Sequence, residues 1–490
     1  MSQSTLTELF YIDLGIMSSM ICVGIGDAIH DTSIAALIDG EFKYRKSERA
    51  LGVKHHNAEE EWYKSVLDEW GIDQKDVFRT VYTDAGRQRF GKRVRKPYNG
   101  EDYLVEGDRI CIDHHTAHLY STQSDAEQHA VFDGRGSGGW KGRWTGLTKT
   151  SAGQKRYRNL SIGKFLSYVG YAMEFKGIEV DFAGKVMGLQ AYGTPDLELA
   201  RQINEDNILD LCGEWMIKGV DSKDPKFQDF VATVHKACEF IQLDYFKQFD
   251  PSKKIACSGG VMLNTVINTE LRKKYDLYIP PHVYDGGLSV GALRYAVGSD
   301  FDIPNFPYCQ DDYAPEEVTD ETIEKAAELL AQGKIVGWYQ GHGEIGPRAL
   351  GNRSILMSPM VKDGKDILNA RVKRREWWRP FGASVLKERA AEYFDIDDSP
   401  YMLYNAKVKV SGLDPITHVD GTCRHNTVTY ESNPAYYKLL SAFEKKTGCP
   451  VLLNTSLNIG GKPIAGRPED AKVPGLDALF IGNCMDDPNT

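Results

Sequence analysis

The stretch FDIPNFPYCQDDYAPEEV, residues 301–318, carries three prolines and a run of acids, with no apolar run long enough for a buried element. Proline removes a backbone donor and fixes φ, so no long helix or central strand passes through such a segment. It divides a chain of 490 residues, which exceeds the length at which a single hydrophobic core stops growing. Two domains are expected: residues 20–312 and residues 318–490.

Both parts mix strands and helices. Residues 21–25 and 33–38 are apolar runs of strand length, and Asp39-Gly40 marks a hairpin turn. Asn57 is placed to cap a helix through EEEWYKSVLDEW, and the strand around Val81 stops at Asp84. KKIACSGGVMLNT reads as a short strand, two glycines and a helix. In the second part a helix over 322–331 leads to the strand KIVGWYQ. Asn433 and Pro434 open a later helix, since proline fits the first turn, and the strand PVLLNTS follows. The fold class is α/β or α+β in both domains, without a short-period repeat; Met1 to Ser19 read as a loose leader.

No stretch reaches the roughly 18 apolar residues that cross a bilayer, and no basic-then-apolar leader opens the chain. No membrane association and a cytoplasmic location are therefore expected. Nine cysteines without a CxxC pair argue against a disulfide framework or a cysteine zinc site. The net charge of -10 argues against nonspecific nucleic-acid binding by the whole molecule. Local patches differ: GRQRFGKRVRK at 86–96, WKGRW at 140–144 and KRYR at 155–158 are either solvated loops or a basic rim for phosphate-bearing substrates or a polynucleotide.

CIDHHTAH, residues 111–118, sets His114 and His118 four apart, on one face of any helix that begins there. Two imidazoles so placed suit Fe, Zn or Mn but do not complete a site. Asp133 in VFDGRG and Asp285 in YDGGLS each stand where an apolar run meets a glycine turn, and are expected to converge with them at sheet ends. Carboxylate completion favours Fe or Mn over a structural zinc; a hydrogen-bonded histidine pair is the bland alternative. His30, beside Asp31, is a candidate base or anion-stabilising group.

GKVMGLQAYG from Gly184, SGGVMLNT from Ser258 and DGGLSVG from Asp285 offer glycine turns whose amides could meet a ligand, although none has Walker A or dinucleotide spacing. In the second part, GHGEIGPRALGNRS supplies Arg348 and Arg353, VKRREWWRPFGAS supplies Lys373, Arg374, Arg375 and Arg379, and VLLNTSLNIGGKPI supplies Asn454, Ser456, Asn458 and Lys462. Guanidinium forks with nearby amides suit an acyl phosphate and the phosphates of ATP.

Taken in order, HDTSIAAL, HHTAH, GKVMGLQAYG, SGGVMLNT, GPRALGNRS, REWWRPF, NTSLN and GLDALFIG resemble the O-carbamoyltransferases that modify nodulation factors and antibiotics, over about residues 20 to 485. The resemblance implies an N-terminal actin-like ATPase domain, similar to tRNA-threonylcarbamoyl transferases, and a C-terminal YrdC-like domain. It also implies that carbamoyl phosphate and ATP form carbamoyl-adenylate, from which a hydroxyl accepts the carbamoyl group. Carried over by motif, His114, His118, Asp133 and Asp285 form an Fe(II)-type site, with Mn or Mg as alternatives. His30, Arg348 and Arg379 take catalytic roles. Gly184, Lys185, Gly259, Gly260, Asn264, Arg353, Lys373, Asn454 and Ser456 hold nucleotide or carbamoyl phosphate. Departures from the family pattern include His342 for an arginine in GHGEIGPRALG and Gly382 in RPFGASVL. A small-molecule hydroxyl is the expected acceptor, with a hydroxymethylated DNA base or a noncatalytic nucleotide-responsive protein as alternatives.

Overall fold

In a computed structural model, residues 20–28, 30–84, 108–122, 125–133, 144–158, 162–177 and 179–486 are described. The loose leader, the basic segment 86–96 and residues 140–143 lie outside them. Strands β1 (Ile21–Gly26), β2 (Ser33–Ile38), β3 (Glu41–Lys46), β4 (Val77–Asp84) and β5 (Asp108–Asp113) form one sheet in the order β3-β2-β1-β4-β5. β1, β2 and β3 pair antiparallel, whereas β4 and β5 join parallel to β1. Asp39 and Gly40 have φ of 50° and 86°, the positive values that a tight two-residue hairpin turn requires.

A second sheet repeats the plan. β6 (Gln128–Phe132), β7 (Trp144–Thr150), β8 (Gly153–Arg158), β9 (Ile255–Ser258) and β10 (Leu277–Tyr278) lie in the order β10-β9-β6-β7-β8. Again the first three are antiparallel and the last two join parallel to the first. The first part of the chain is thus a structural duplication that no sequence period announces.

The third sheet has eight strands and mixed pairing. It comprises β11 (Val336–Tyr339), β12 (Arg353–Met357), β13 (Gly382–Leu386), β14 (Ala406–Lys407), β15 (Thr422–Val428), β16 (Val451–Ser456), β17 (Ala478–Ile481) and β18 (Cys484–Asp486), in the order β14-β15-β13-β16-β12-β11-β17-β18. One apolar cluster running from Val318 to Phe480 fills it. The expected helix start at Asn433 and Pro434 is observed: the Asn433 side chain accepts from the Tyr436 amide at 3.0 Å and caps helix Pro434–Thr447. Among the described residues no helix is long and apolar enough to cross a membrane.

Two local expectations are corrected. The helix assigned to an Asn57 cap spans Glu60–Glu69, with Glu59 at the cap position and no side-chain cap. Gly184 and Lys185 lie inside helix Val180–Leu189 rather than in a turn, so their amides belong to the helical ladder. That helix instead joins the two halves of the chain. Trp378 donates its indole N–H to the Lys185 carbonyl at 2.9 Å, and His418 Nε2 meets the Gly188 carbonyl at 2.9 Å. A Cβ on Gly346 would stand 2.3 Å from the Pro281 carbonyl oxygen, which shows how closely the backbones of the two halves approach.

Candidate metal centre and anion site

β5 ends at Asp113, whose side chain accepts from the His115 and Thr116 amides and so starts helix His114–Ser121. One helical turn then sets His114 and His118 side by side, ring centroids 4.7 Å apart. Asp133 leaves the end of β6 and is steadied by the Gly260 amide at 3.1 Å. Asp285 was expected at a strand end; it opens the short turn Asp285–Gly287 that leads into helix Leu288–Val297. His114 Nε2 lies 2.9 Å from Asp133 Oδ2 and 3.4 Å from Asp285 Oδ1, and His118 Nε2 lies 3.4 Å from Asp285 Oδ1. One ligand atom from each of the four residues falls within 4.8 Å of the others.

The electrostatics fit a cation. Burial alone would keep His114 neutral, but the Asp285 charge and the Asp133 hydrogen bond push it well above the ordinary histidine value. Burial would likewise raise Asp285, yet the two histidines hold it well below the carboxylate range. Among the described residues the buried His118 Nε2 has no hydrogen-bond partner, which suits a metal-ligand atom. Two imidazoles and two carboxylates suit a divalent metal. His115 points elsewhere, as expected, and is pushed down to about 3 by burial and the neighbouring His114 charge.

His30 adjoins this cluster. Its Nδ1 is 2.9 Å from Asp31 Oδ2 and 3.8 Å from Asp285 Oδ2. Asp31 also meets His55 Nδ1 at 2.9 Å and the buried Lys46 Nζ at 2.8 Å, and His55 Nε2 reaches Asp181 Oδ1 at 3.0 Å. Sequence reasoning passed over Lys46, His55 and Asp181, because no motif links residues so far apart.

In the second half, Arg348, Arg375, Arg379 and Arg424 gather. Burial, then the charges of Arg424 and Arg379, push Arg348 well below the ordinary guanidinium range, and burial with Arg379 and Arg424 does the same to Arg375. Arg424, absent from every motif, is pushed down to about 10, first by burial. Among the described residues the buried Nε atoms of Arg348, Arg375 and Arg424 have no hydrogen-bond partner. Among the described residues the one ion pair in this group is Arg379 with Glu376, at 3.3 Å. Four guanidiniums with a single paired acid among them favour an anion.

Other expected ligand contacts have protein partners instead. Arg353 is fully buried, its two terminal nitrogens bonded to Asp312, Gln340 and Tyr313 and its guanidinium lying over the Tyr339 ring. Lys373 Nζ donates to oxygens of Ser456 and Asn458, which occupies Ser456 as well. Asn454 donates to Ala349 and Ser384, and its buried oxygen has no partner among the described residues. Asn264 caps helix Thr265–Arg272. Gly259, at φ 97°, takes the turn that brings the Gly260 amide to Asp133, so both glycines serve the metal-type cluster. Lys185 lies 3.7 Å from Glu376.

Residues 200–293 match the family model described as carbamoyltransferase N-terminus, and residues 327–486 match carbamoyltransferase C-terminus. Nodulation protein NolO of Bradyrhizobium diazoefficiens is 32% identical over 430 residues, covering 76% of this chain and 78% of that protein. Nodulation protein NolNO of Sinorhizobium fredii is 31% identical over 449 residues, covering 78% of this chain and 64% of that protein. A 3'-hydroxymethylcephem-O-carbamoyltransferase of Streptomyces clavuligerus is 32% identical over 317 residues, covering 59% of this chain and 60% of that protein. The class of protein is a carbamoyl-transferring enzyme. The chain belongs to the carbamoyltransferase family.

Proposed function

We propose that this chain is an ATP-dependent O-carbamoyltransferase that activates carbamoyl phosphate in residues 318–490 and transfers the carbamoyl group in residues 20–312. The observation that carries this reading is the pairing of an unneutralised arginine cluster with a buried His/Asp cluster across one interface. The duplicated sheet plan supports an actin-like ATPase architecture for residues 20–312. The eight-stranded sheet would take the part that the resemblance gives to a YrdC-like domain, formation of carbamoyl-adenylate.

Arg348, Arg379, Arg375 and Arg424 would neutralise the phosphates of carbamoyl phosphate and ATP. By atom balance, carbamoyl phosphate, ATP and one water give carbamoyl-adenylate, phosphate and pyrophosphate. In transfer, the acceptor oxygen bonds to the carbamoyl carbon, the bond from that carbon to the AMP oxygen breaks, and the hydroxyl proton passes to Nε2 of His30. His114, His118, Asp133 and Asp285 would hold a divalent metal, Fe(II) with Mn or Mg as alternatives, which would stabilise the leaving phosphate. An enclosed route between the two sites would keep the mixed anhydride from water.

The acceptor is taken to be a small-molecule hydroxyl, the kind that the name of the Streptomyces relative gives for that protein. The test is mass spectrometry of reactions with carbamoyl phosphate, ATP and a pool of hydroxylated metabolites and hydroxymethylated DNA. A carbamoylated small molecule with pyrophosphate release is the expected result. A product on DNA alone would move the acceptor to a modified base, and pyrophosphate release from neither pool would leave a noncatalytic nucleotide-binding protein.

A further inference from the structure

We propose that His55 is a positioning residue for transfer: bridging Asp31 and Asp181, it clamps the Asp31 carboxylate against Nδ1 of His30 and so keeps His30 Nε2 turned toward the acceptor. The inference rests on the transfer role given to His30 above.

The donor count carries it. Nδ1 of His55 faces Asp31 Oδ2 at 2.9 Å and Nε2 faces Asp181 Oδ1 at 3.0 Å. Ionised carboxylates only accept, so both ring nitrogens must donate and the ring is an imidazolium. Asp31 Oδ2 then takes one N–H from His55 and one from His30, while Oδ1 is held by charge against the Lys46 ammonium at 2.8 Å. A carboxylate gripped from three sides cannot rotate, and the His30 ring hinged on it has one remaining nitrogen to offer.

The charges also balance. Asp31, Glu48 and Asp181 are matched in number by Lys46, Lys54 and His55, with Lys46 to Glu48 at 2.6 Å and Lys54 to Asp181 at 2.5 Å. The backbone agrees: Asp31 and His55 both sit in the left-handed region, at φ 62° and 53°. Such conformations persist where surrounding contacts over-determine them; here the His55 amide is tied to Glu48 at 2.9 Å.

The same three side chains, His30, Asp31 and His55, could be read as a second metal site. Lys46 opposes that reading, because a buried ammonium already holds the carboxylate that the ion would need, and a second cation beside it would be strongly repelled.

Asp181 gives the clamp a wider setting. It opens helix Val180–Leu189, whose Lys185 faces Glu376 and whose last turn is held by Trp378 and His418. One helix therefore carries the far end of the clamp and the wall of the arginine site.

The test uses the full chain and the variants His55→Ala and His55→Arg. Activation is read as pyrophosphate release and as hydroxylamine-trapped carbamoyl group, and transfer is read on the acceptor found in the pool above. For His55→Ala the expected result is a fall in kcat for transfer of about 10- to 100-fold, the size typical of lost outer-shell support. Acceptor KM, activation and metal content should hold, and His55→Arg, which can also bridge two carboxylates, should recover part of kcat. Wild-type kcat in His55→Ala, or activation falling in step with transfer, overturns the proposal. Loss of one equivalent of metal in His55→Ala overturns it in favour of the second ion site.

If the wild-type chain carbamoylates nothing, the transfer reading fails by itself. Nitrogen-15 spectra of the histidine rings then decide the clamp: two ring N–H signals on His55 at neutral pH are expected, and a singly protonated ring contradicts it.

Discussion

His30 Nδ1 stands 3.8 Å from Asp285 Oδ2, while the other oxygen of the same carboxylate faces His114 and His118. Asp285 is thus shared between the proposed metal and the proposed base. Asp285→Asn should lower metal occupancy and transfer together, and a chelator applied to the wild-type chain should reproduce the loss of transfer. Metal analysis alongside product formation checks this, and full activity in the metal-free chain would count against the shared role.

The helix that carries both histidines is seated by a glycine. A Cβ on Gly291 would lie 1.9 Å from the Ala117 carbonyl oxygen, so helix Leu288–Val297 packs against helix His114–Ser121 backbone to backbone. Gly291→Ala must push the two helices apart. Overpacking of this kind costs about 1–3 kcal/mol, and displacement of His118 should reduce metal occupancy as well. Urea denaturation and metal content should both respond.

The arginine cluster is self-repelling, so an anion should stabilise the fold. Pyrophosphate is expected to raise the thermal midpoint of the wild-type chain, by the linkage that favours any state binding a ligand. Arg424→Ala should lose most of that gain and raise KM for carbamoyl phosphate or ATP about 10- to 100-fold, the equivalent of one charge-assisted hydrogen bond. An unchanged response to pyrophosphate would remove Arg424 from the site.

Stability should fall on both sides of neutrality. Hydrogen bonds to Asp181 and Asp31 overcome burial and lift His55 to about 9. Its contribution is therefore fully present below the ordinary histidine value of about 6.5 and is lost as pH rises through about 9. His235 and His425 run the other way, since burial pushes each down to about 4. The unfolded chain binds their protons first, so stability present above about 6.5 is lost as pH falls toward about 4. Thermal melts against pH should show both limbs, and His55→Gln should flatten the alkaline one.

Much of the site was legible because it is local. HHTAH at a strand-to-helix junction predicts the paired histidines, and the apolar run before Asp133 predicts its place at a strand end. What escaped is non-local. Arg424 reaches its cluster because β15 pairs in parallel with β13, setting it opposite Gly382, and CRHNT gives no hint of that. A Cβ on Gly382 would lie 2.9 Å from the Arg424 carbonyl oxygen, so this departure from the family pattern accompanies a close strand approach. His342, the other departure, lies 3.6 Å from Asp312, the carboxylate that also binds Arg353. The glycines of GKVMGLQAYG misled because glycine marks turns and close packing alike: Gly184 is helical, and Gly188 fits against Trp378 and Pro380.

The central claim, that one site activates and the other transfers, is tested most directly by comparing His114→Ala with Arg379→Ala for pyrophosphate release and carbamoylated product in the same reactions. The account expects His114→Ala to lose metal and product while keeping pyrophosphate release, and Arg379→Ala to lose both pyrophosphate release and product. Full metal content with unchanged transfer in His114→Ala, or equal loss of pyrophosphate release in the two variants, would contradict it.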